Sequence, residues 1–303
     1  LGILGTQVRG VRRVEPILID LKLHRPGYDH FIASWVCKGD SNIVVDVGPA
    51  NSVHILLDAL EALEMDRVDL VLLTHIHIDH AGGLAAFLEQ FPMAKVVCHR
   101  MGVEHLIDPA KLWAGSQKVL GEVAQFYGPI KTVKEGALIA HTEARTEGLR
   151  VIETPGHAPH HLSFSYQGKL FVGEASGTFH DVGDLEYVRP ATPPKFFMEE
   201  CLGSVDRLLG IEDQPIYYVH FGKAESSHHQ LKSFRDQLIR WAEIIKQEMA
   251  ADREDLVKRC LEILLEKDPD LKAFEAMGPD MQERERYFLT NSINGYIEYL
   301  QSQ

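Results

Sequence analysis

A chain of 303 residues with 45% hydrophobic content can bury one large core and a smaller appendage, so a soluble globular enzyme is the base expectation. Its 31 Lys and Arg stand against 44 Asp and Glu, a formal net charge of −13, which repels polyanions and argues against nucleic acid as a partner. Cys37, Cys98, Cys201 and Cys260 are far apart and form no C-x-x-C pair, so neither a disulfide framework nor a thiolate zinc site is expected, and reduced thiols suit the cytoplasm.

The opening Leu1-Gly2-Ile3-Leu4-Gly5 carries no long apolar run and no later segment has eighteen uninterrupted apolar residues, so neither a leader nor a membrane span is expected. Residues 17–23 read as a strand, and residues 30–37 and 43–48 as two strands joined in a hairpin by a short polar turn. Val53, Leu56, Leu57, Leu60 and Leu63 recur at helical spacing within residues 51–65. The apolar run 68–73 then reads as a buried strand, followed by a helix to Phe91, a strand over 95–99, and a helix-prone stretch 103–127 with breaks near Pro109 and Gly115. Strands are predicted over 149–153, 162–166 and 169–172, with Gln167-Gly168 as a hairpin turn, and a further apolar strand runs from Pro215 to Val219. Between them, the proline-rich segment from Tyr187 to Phe197 leads into a helix over 198–209. It is expected to wall a pocket, with Arg189 and Lys195 as candidate anion contacts or solvated cations. Beyond Lys223 the pattern is helical over 231–250, 253–267, 271–276 and 281–300, and Phe288, Ile293, Tyr296 and Leu300 form a packing stripe.

The densest chemistry lies at the end of the 68–73 strand, in Thr74-His75-Ile76-His77-Ile78-Asp79-His80-Ala81-Gly82-Gly83. Imidazole and carboxylate suit a borderline divalent cation such as zinc, and also iron or manganese. Four such residues within six positions exceed what one ion takes from so short a segment, so two neighbouring ions fit better. In extended geometry His75 and His77 project to one side, while Asp79 and His80 turn to another as a helix opens and the glycines let it approach closely.

The pattern His-x-His-x-Asp-His resembles the signature of the metallo-β-lactamase superfamily. That resemblance implies an αββα sandwich, here with an added C-terminal helical domain, so that residues 1–222 form the catalytic unit and 223–303 the helical one. Further stations resemble the same family. His157, at a strand end in the rigid turn Thr154-Pro155-Gly156-His157-Ala158-Pro159-His160-His161, is similar to the third ligand motif of hydroxyacylglutathione hydrolases (glyoxalase II). Ala158, Pro159 and His160 stand where those enzymes usually read Thr-x-Gly. Glu174 stands where the superfamily most often has a bridging aspartate, and alkyl sulfatases of the superfamily also use glutamate in their metal site. His220 resembles the last histidine ligand.

The resemblance therefore assigns His75, His77 and His157 to one ion, Asp79, His80 and His220 to a second, and Glu174 to the place between them. It gives Asp79 a further, catalytic role as acceptor of a hydrogen bond from the attacking water. Asp46 is either a support for the metal-bearing loop or a simple turn residue. His99 and His105 are pocket-lining or structural histidines, and His160 and His161 support or surface residues. The expected activity is hydrolysis of a small ester, thioester or lactone by a metal-bound hydroxide. The alternatives are a single-iron oxidoreductase resembling persulfide dioxygenases, or an interaction module without catalysis. Flavodiiron proteins fit less well, because they place glutamate where His77 stands. The helical tail closes the pocket in glyoxalase II, and dimerisation is its competing use.

Overall fold

The computed structural model describes residues 15–251 and 253–303; the expectation for the first five residues lies outside them. Short, fully buried runs such as Ala-Ser-Trp-Val-Cys and Ile-Val-Val form the central strands, and their lack of polar alternation fits a sheet covered on both faces. The first sheet has six strands in spatial order β1 (Ile17–Asp20), β2 (Ala33–Cys37), β3 (Ile43–Val45), β4 (Leu70–Leu72), β5 (Lys95–Cys98) and β6 (Leu138–Ala140). β1, β2 and β3 pair antiparallel, β1 to β2 through the longer segment 21–32 and β2 to β3 through a short turn. From β3 to β6 the pairing is parallel, which demands crossovers. The crossovers are α1 (Val53–Ala62), then α2 (Ile78–Ala81) with α3 (Leu84–Gln90), then α4 (Arg100–Ile107), α5 (Ala110–Leu120) and α6 (Glu122–Tyr127).

In the second half β7 (Leu149–Glu153), β8 (Leu162–Tyr166) and β9 (Lys169–Phe171) form an antiparallel meander. A separate hairpin of β10 (Thr178–Val182) and β11 (Leu185–Arg189) precedes α7 (Met198–Leu209). β12 (Ile216–Tyr218) then lies parallel to β9 and carries β13 (Gly222–Ala224) on its far side, which completes a second sheet in the order β13-β12-β9-β8-β7. The C-terminal helices are α8 (Ser227–Ala250), α9 (Leu256–Lys267) and α10 (Pro279–Gln301).

Period-two alternation in the second sheet decides the layering. Phe171 and Tyr217, with Phe164, face the first sheet, where the Trp35 ring lies 4.8 Å from that of Tyr217. Their neighbours Leu170, Ile216 and Tyr218 face an opposite cluster with Val205, Phe234, Trp241 and Tyr296 from α7, α8 and α10. The result is the αββα sandwich with added C-terminal helices, and one continuous apolar cluster joins those helices to the second sheet.

Two expectations are corrected. The helical stretch breaks at Pro109 but runs through Gly115, which has open space around it; the second break falls at Gly121, with φ of +56°. A glycine inside a helix costs about 1 kcal/mol and does not by itself end it. The segment beginning at Tyr187 starts inside β11, and Arg189 is neither solvated nor a pocket cation. It is buried, with its Nε 2.5 Å from Glu285 Oε2 on α10. Glu285 also accepts from Arg284 Nε at 2.8 Å and from the Tyr187 hydroxyl at 3.1 Å.

Burial pushes the Glu285 carboxyl up, but Arg189, Arg284 and His180 pull it down further, so it stays ionised. Burial and the Arg284 guanidinium hold His180 neutral. Removing one partner from such a buried cluster leaves charge uncompensated. Glu285→Gln is expected to cost about 3–5 kcal/mol in urea unfolding of the metal-free protein. The pH dependence follows from the same groups. The unfolded chain takes up a proton at His180 that the folded one refuses, so stability contributed there is complete above pH 6.5 and declines as pH falls below it. A second loss begins below 4.5, where unfolded Glu285 protonates. Urea titrations across that range should show both losses, with the second reduced in Glu285→Gln.

Candidate metal centre

The site is built where strands end. After β4 the chain continues extended through Thr74 to His77, then enters α2 at Ile78. Ile76 and Ile78 are buried in the core, so the alternate positions His75 and His77 are presented to the other side. The helical turn then brings Asp79 and His80 round to the same cavity. Asp46, at the end of β3, fixes this segment: Thr74 N–H donates to its Oδ1 at 2.8 Å, and Thr74 Oγ1 donates to its Oδ2 at 2.7 Å. His80 Nδ1–H donates to the same Oδ2 at 2.8 Å, which leaves His80 Nε2 free to face the cavity.

The distant residues arrive by the same device. His157 follows β7, and its Nδ1–H donates to the Ala191 carbonyl at 2.8 Å. His220 follows β12, and its Nδ1–H donates to the Phe31 carbonyl at 2.9 Å. In each ring the proton is thereby held on the far nitrogen and Nε2 carries a lone pair inward. Glu174 follows β9 after Gly173, whose φ is +52° and whose hydrogen leaves room that a Cβ, 2.6 Å from His161 Nε2, would take. His161 donates from Nδ1 to Thr154 Oγ1 at 2.8 Å and accepts the Glu174 backbone N–H at 3.1 Å, so it anchors the carboxylate-bearing residue.

All seven residues singled out in the sequence converge. They form two groups, His75, His77 and His157 with Glu174, and Asp79 with His80 and His220, each with its donor atoms within 4.8 Å of one another. His77 Nδ1 lies 2.9 Å from both His75 Nε2 and His157 Nε2. Glu174 Oε2 is 3.1 Å from His157 Nε2, 3.3 Å from His75 Nε2 and 3.4 Å from His80 Nε2, which sets it between the groups. Asp79 Oδ2 is 3.5 Å from His220 Nε2 and 3.7 Å from His80 Nε2.

The donor set fits divalent cations. Three imidazole nitrogens meeting at such distances cannot all be satisfied by one proton, and metal–nitrogen bonds of about 2.0–2.1 Å would span them. His80 Nε2 and Glu174 Oε2 are buried with no hydrogen-bond partner among the described residues, a costly state unless something positive lies between them. Burial and neighbouring imidazoles hold His75 neutral, and burial with His157 lowers His77 to about 4. Burial raises both acids, but His80 and His220 bring Asp79 to about 2, and His157 with His80 keeps Glu174 well below the usual carboxylate range. His80 is driven the other way: burial disfavours its charge, yet Asp79 and Asp46 favour a proton on it, at the nitrogen where a metal ion would compete.

The remaining candidates separate. His161 and Asp46 touch the site residues, whereas His105 and Lys195 are exposed. The His160 ring stacks 6.1 Å from that of His75, and burial with His77 pushes its pKa down to about 3. His99 stacks on His141 at 4.5 Å beside Glu153. Both accept a backbone N–H at Nδ1, at 3.2 and 3.1 Å, so their protons sit on Nε2 facing Glu153 and the trio is not arranged as a metal ligand set. Sequence reasoning missed the Ala191 and Phe31 carbonyls and the Thr154–His161 link. Backbone acceptors have no sequence signature, but the Thr154 and His161 pair flanking the His157 turn was a visible signal.

The fold and this cluster define a metal-dependent hydrolase of the metallo-β-lactamase class. The family model described as "Metallo-beta-lactamase superfamily" matches residues 29–220, and the chain belongs to that superfamily. Among its relatives, the metallo-beta-lactamase fold-containing protein ST1585 of Sulfurisphaera tokodaii is 28% identical over 196 residues, 62% of this chain and 71% of that protein. A hydroxyacylglutathione hydrolase of Aeromonas salmonicida is 32% identical over 191 residues, 63% of this chain and 60% of that enzyme. The crystal structure of ST1585 superposes with a TM-score of 0.67 at 22% identity, covering 94% of this chain and 98% of that one, and so supports the fold.

Asp46→Asn keeps the volume at that position but removes the carboxylate that orients both Thr74 and His80. It is expected to weaken metal binding about 10–100-fold in competition with a chromophoric chelator, with the circular dichroism spectrum retained.

Proposed function

We propose that the protein is a dinuclear metal-dependent hydrolase acting on a small thioester, ester or lactone. The observation that carries this reading is the placement of Glu174 between two complete donor groups, with its Oε2 and His80 Nε2 both buried and unpartnered among the described residues. His75, His77 and His157 would hold one ion and Asp79, His80 and His220 the other. The nitrogen and oxygen donors favour zinc, with iron or manganese as alternatives. When bound, such a pair supplies a water of near-neutral pKa and polarises the scissile carbonyl.

The chain's own residues do the rest. Asp79, ionised across the neutral range, accepts a hydrogen bond from the attacking water and orients it. Asp46, Ala191 and Phe31 hold His80, His157 and His220 by their Nδ1 protons, so the facing nitrogens do not rotate away. The similarity to hydroxyacylglutathione hydrolases favours a thioester within the substrate class. Four buried, unpaired cysteines suit a reducing compartment, so we place the protein in the cytoplasm.

Elemental analysis of protein reconstituted with zinc should give two equivalents per chain, and a panel of thioesters, lactones and phosphodiesters should reveal thioester hydrolysis. His77→Ala is expected to keep the fold, lose one equivalent and lower turnover at least about 100-fold. A single iron per chain together with oxygen uptake would instead identify an oxidoreductase and overturn the proposal.

A further inference from the structure

We propose that α10 is a positioning element for both ion positions, through the two backbone carbonyls that orient His157 and His220. The proposal rests on the ligand roles given to those histidines above. These two ligands lie outside the compact 75–80 motif and belong to different donor groups. Each is oriented by a main-chain oxygen, and α10 presses on both segments that supply one.

The first segment is 190–193. Ser292 Oγ on α10 donates to the Pro190 carbonyl at 2.8 Å and accepts from Thr192 N–H at 3.4 Å, while Thr192 Oγ1 donates to the Ser292 carbonyl at 3.3 Å. Ala191, whose oxygen holds His157, is therefore clamped on both sides. One turn further, Gly295 lies so close that a Cβ there would sit 2.0 Å from the Thr192 oxygen and 2.9 Å from the Pro193 oxygen. Only a residue without a side chain permits this approach.

The second segment is 27–31. Arg284 donates to the Gly27 carbonyl at 2.5 Å and sets its guanidinium 4.2 Å over the Phe31 ring. The Phe288 ring lies 5.3 Å from the same ring. Phe31 is buried, and its carbonyl receives the His220 proton. Successive positions along one helix thus brace Phe31 near its start and Ala191 further along. The motif histidines are held differently, by β4 and Asp46, so α10 acts on His157 and His220 alone.

The imidazole–carbonyl bond fixes ring rotation, and an outer contact of this kind commonly changes metal affinity 10–100-fold. The test uses the full chain loaded with Co²⁺, read by its visible spectrum and by chelator competition. Gly295→Ala should displace the 190–193 segment, weaken one cobalt equivalent about 10-fold or more and shift its spectrum. On a His77→Ala background, which already lacks that position, it should have no further effect. Phe288→Leu should weaken the other equivalent, and should do so equally on the His77→Ala background. Asn294→Ala, exposed on the same helix, should change neither. If Gly295→Ala does not fold, Ser292→Ala decides in its place. Folded variants with wild-type affinity and spectrum for both equivalents would overturn the proposal while leaving the proposed function standing. A wild-type chain that takes up no cobalt would overturn both.

Discussion

The centre depends on one fully buried carboxylate. Asp46 accepts hydrogen bonds from the Thr74 amide, the Thr74 hydroxyl and the His80 ring, and its own carbonyl accepts from Ser34 on β2. A buried carboxylate is costly unless every lone pair is engaged. Here the engagement ties the end of β3 to the end of β4 and to the start of α2. Together with the backbone bonds from Val47 and Gly48 to the His80 carbonyl, it locks three short elements at the point where the ligand motif leaves the strand. Without that lock the dense run of histidines would be a loop; with it, the run is a preorganised set of donors.

The rest of the site follows from strand ends meeting along one edge of the sandwich. β4, β7, β9 and β12 each end in a residue or turn carrying a donor. Glutamate in place of the more usual aspartate asks for a carboxylate stem longer by one carbon. The chain accommodates it with a left-handed Gly173 packed on Thr74 and with His161 holding the Glu174 amide. The two halves of the fold touch at this spot, since Thr74 serves Asp46 on one side and crowds Gly173 on the other.

Much of this was legible from residue order because the information is local. The motif from Thr74 to Gly83 declares a strand, a turn and a helix in ten positions, Glu174 and His220 stand close after apolar runs, and His157 stands in the proline turn after one. The strands of both sheets and the C-terminal helices were marked by apolar periodicity in the same way. What was hidden is relational. Arg189 reads as a solvated cation until Glu285, 96 positions later, is folded against it. The carbonyls of Phe31 and Ala191 carry no residue identity at all, and any side chain in those positions would have offered the same oxygen. Gly115 and Gly121 look alike in sequence and both face open space, and only the backbone turn at Gly121, with φ of +56°, ends the helix.

The buried charge cluster has a consequence for biosynthesis. Arg189 emerges from the ribosome well before Glu285, and until its partner arrives it is a cation that must remain in water, because burying it alone is prohibitive. The β10–β11 hairpin and the segment after it therefore cannot settle before α10 has been made. A nascent chain can display every donor side chain and still hold an open, unfinished cavity, so completion of the centre waits until α10 has been made.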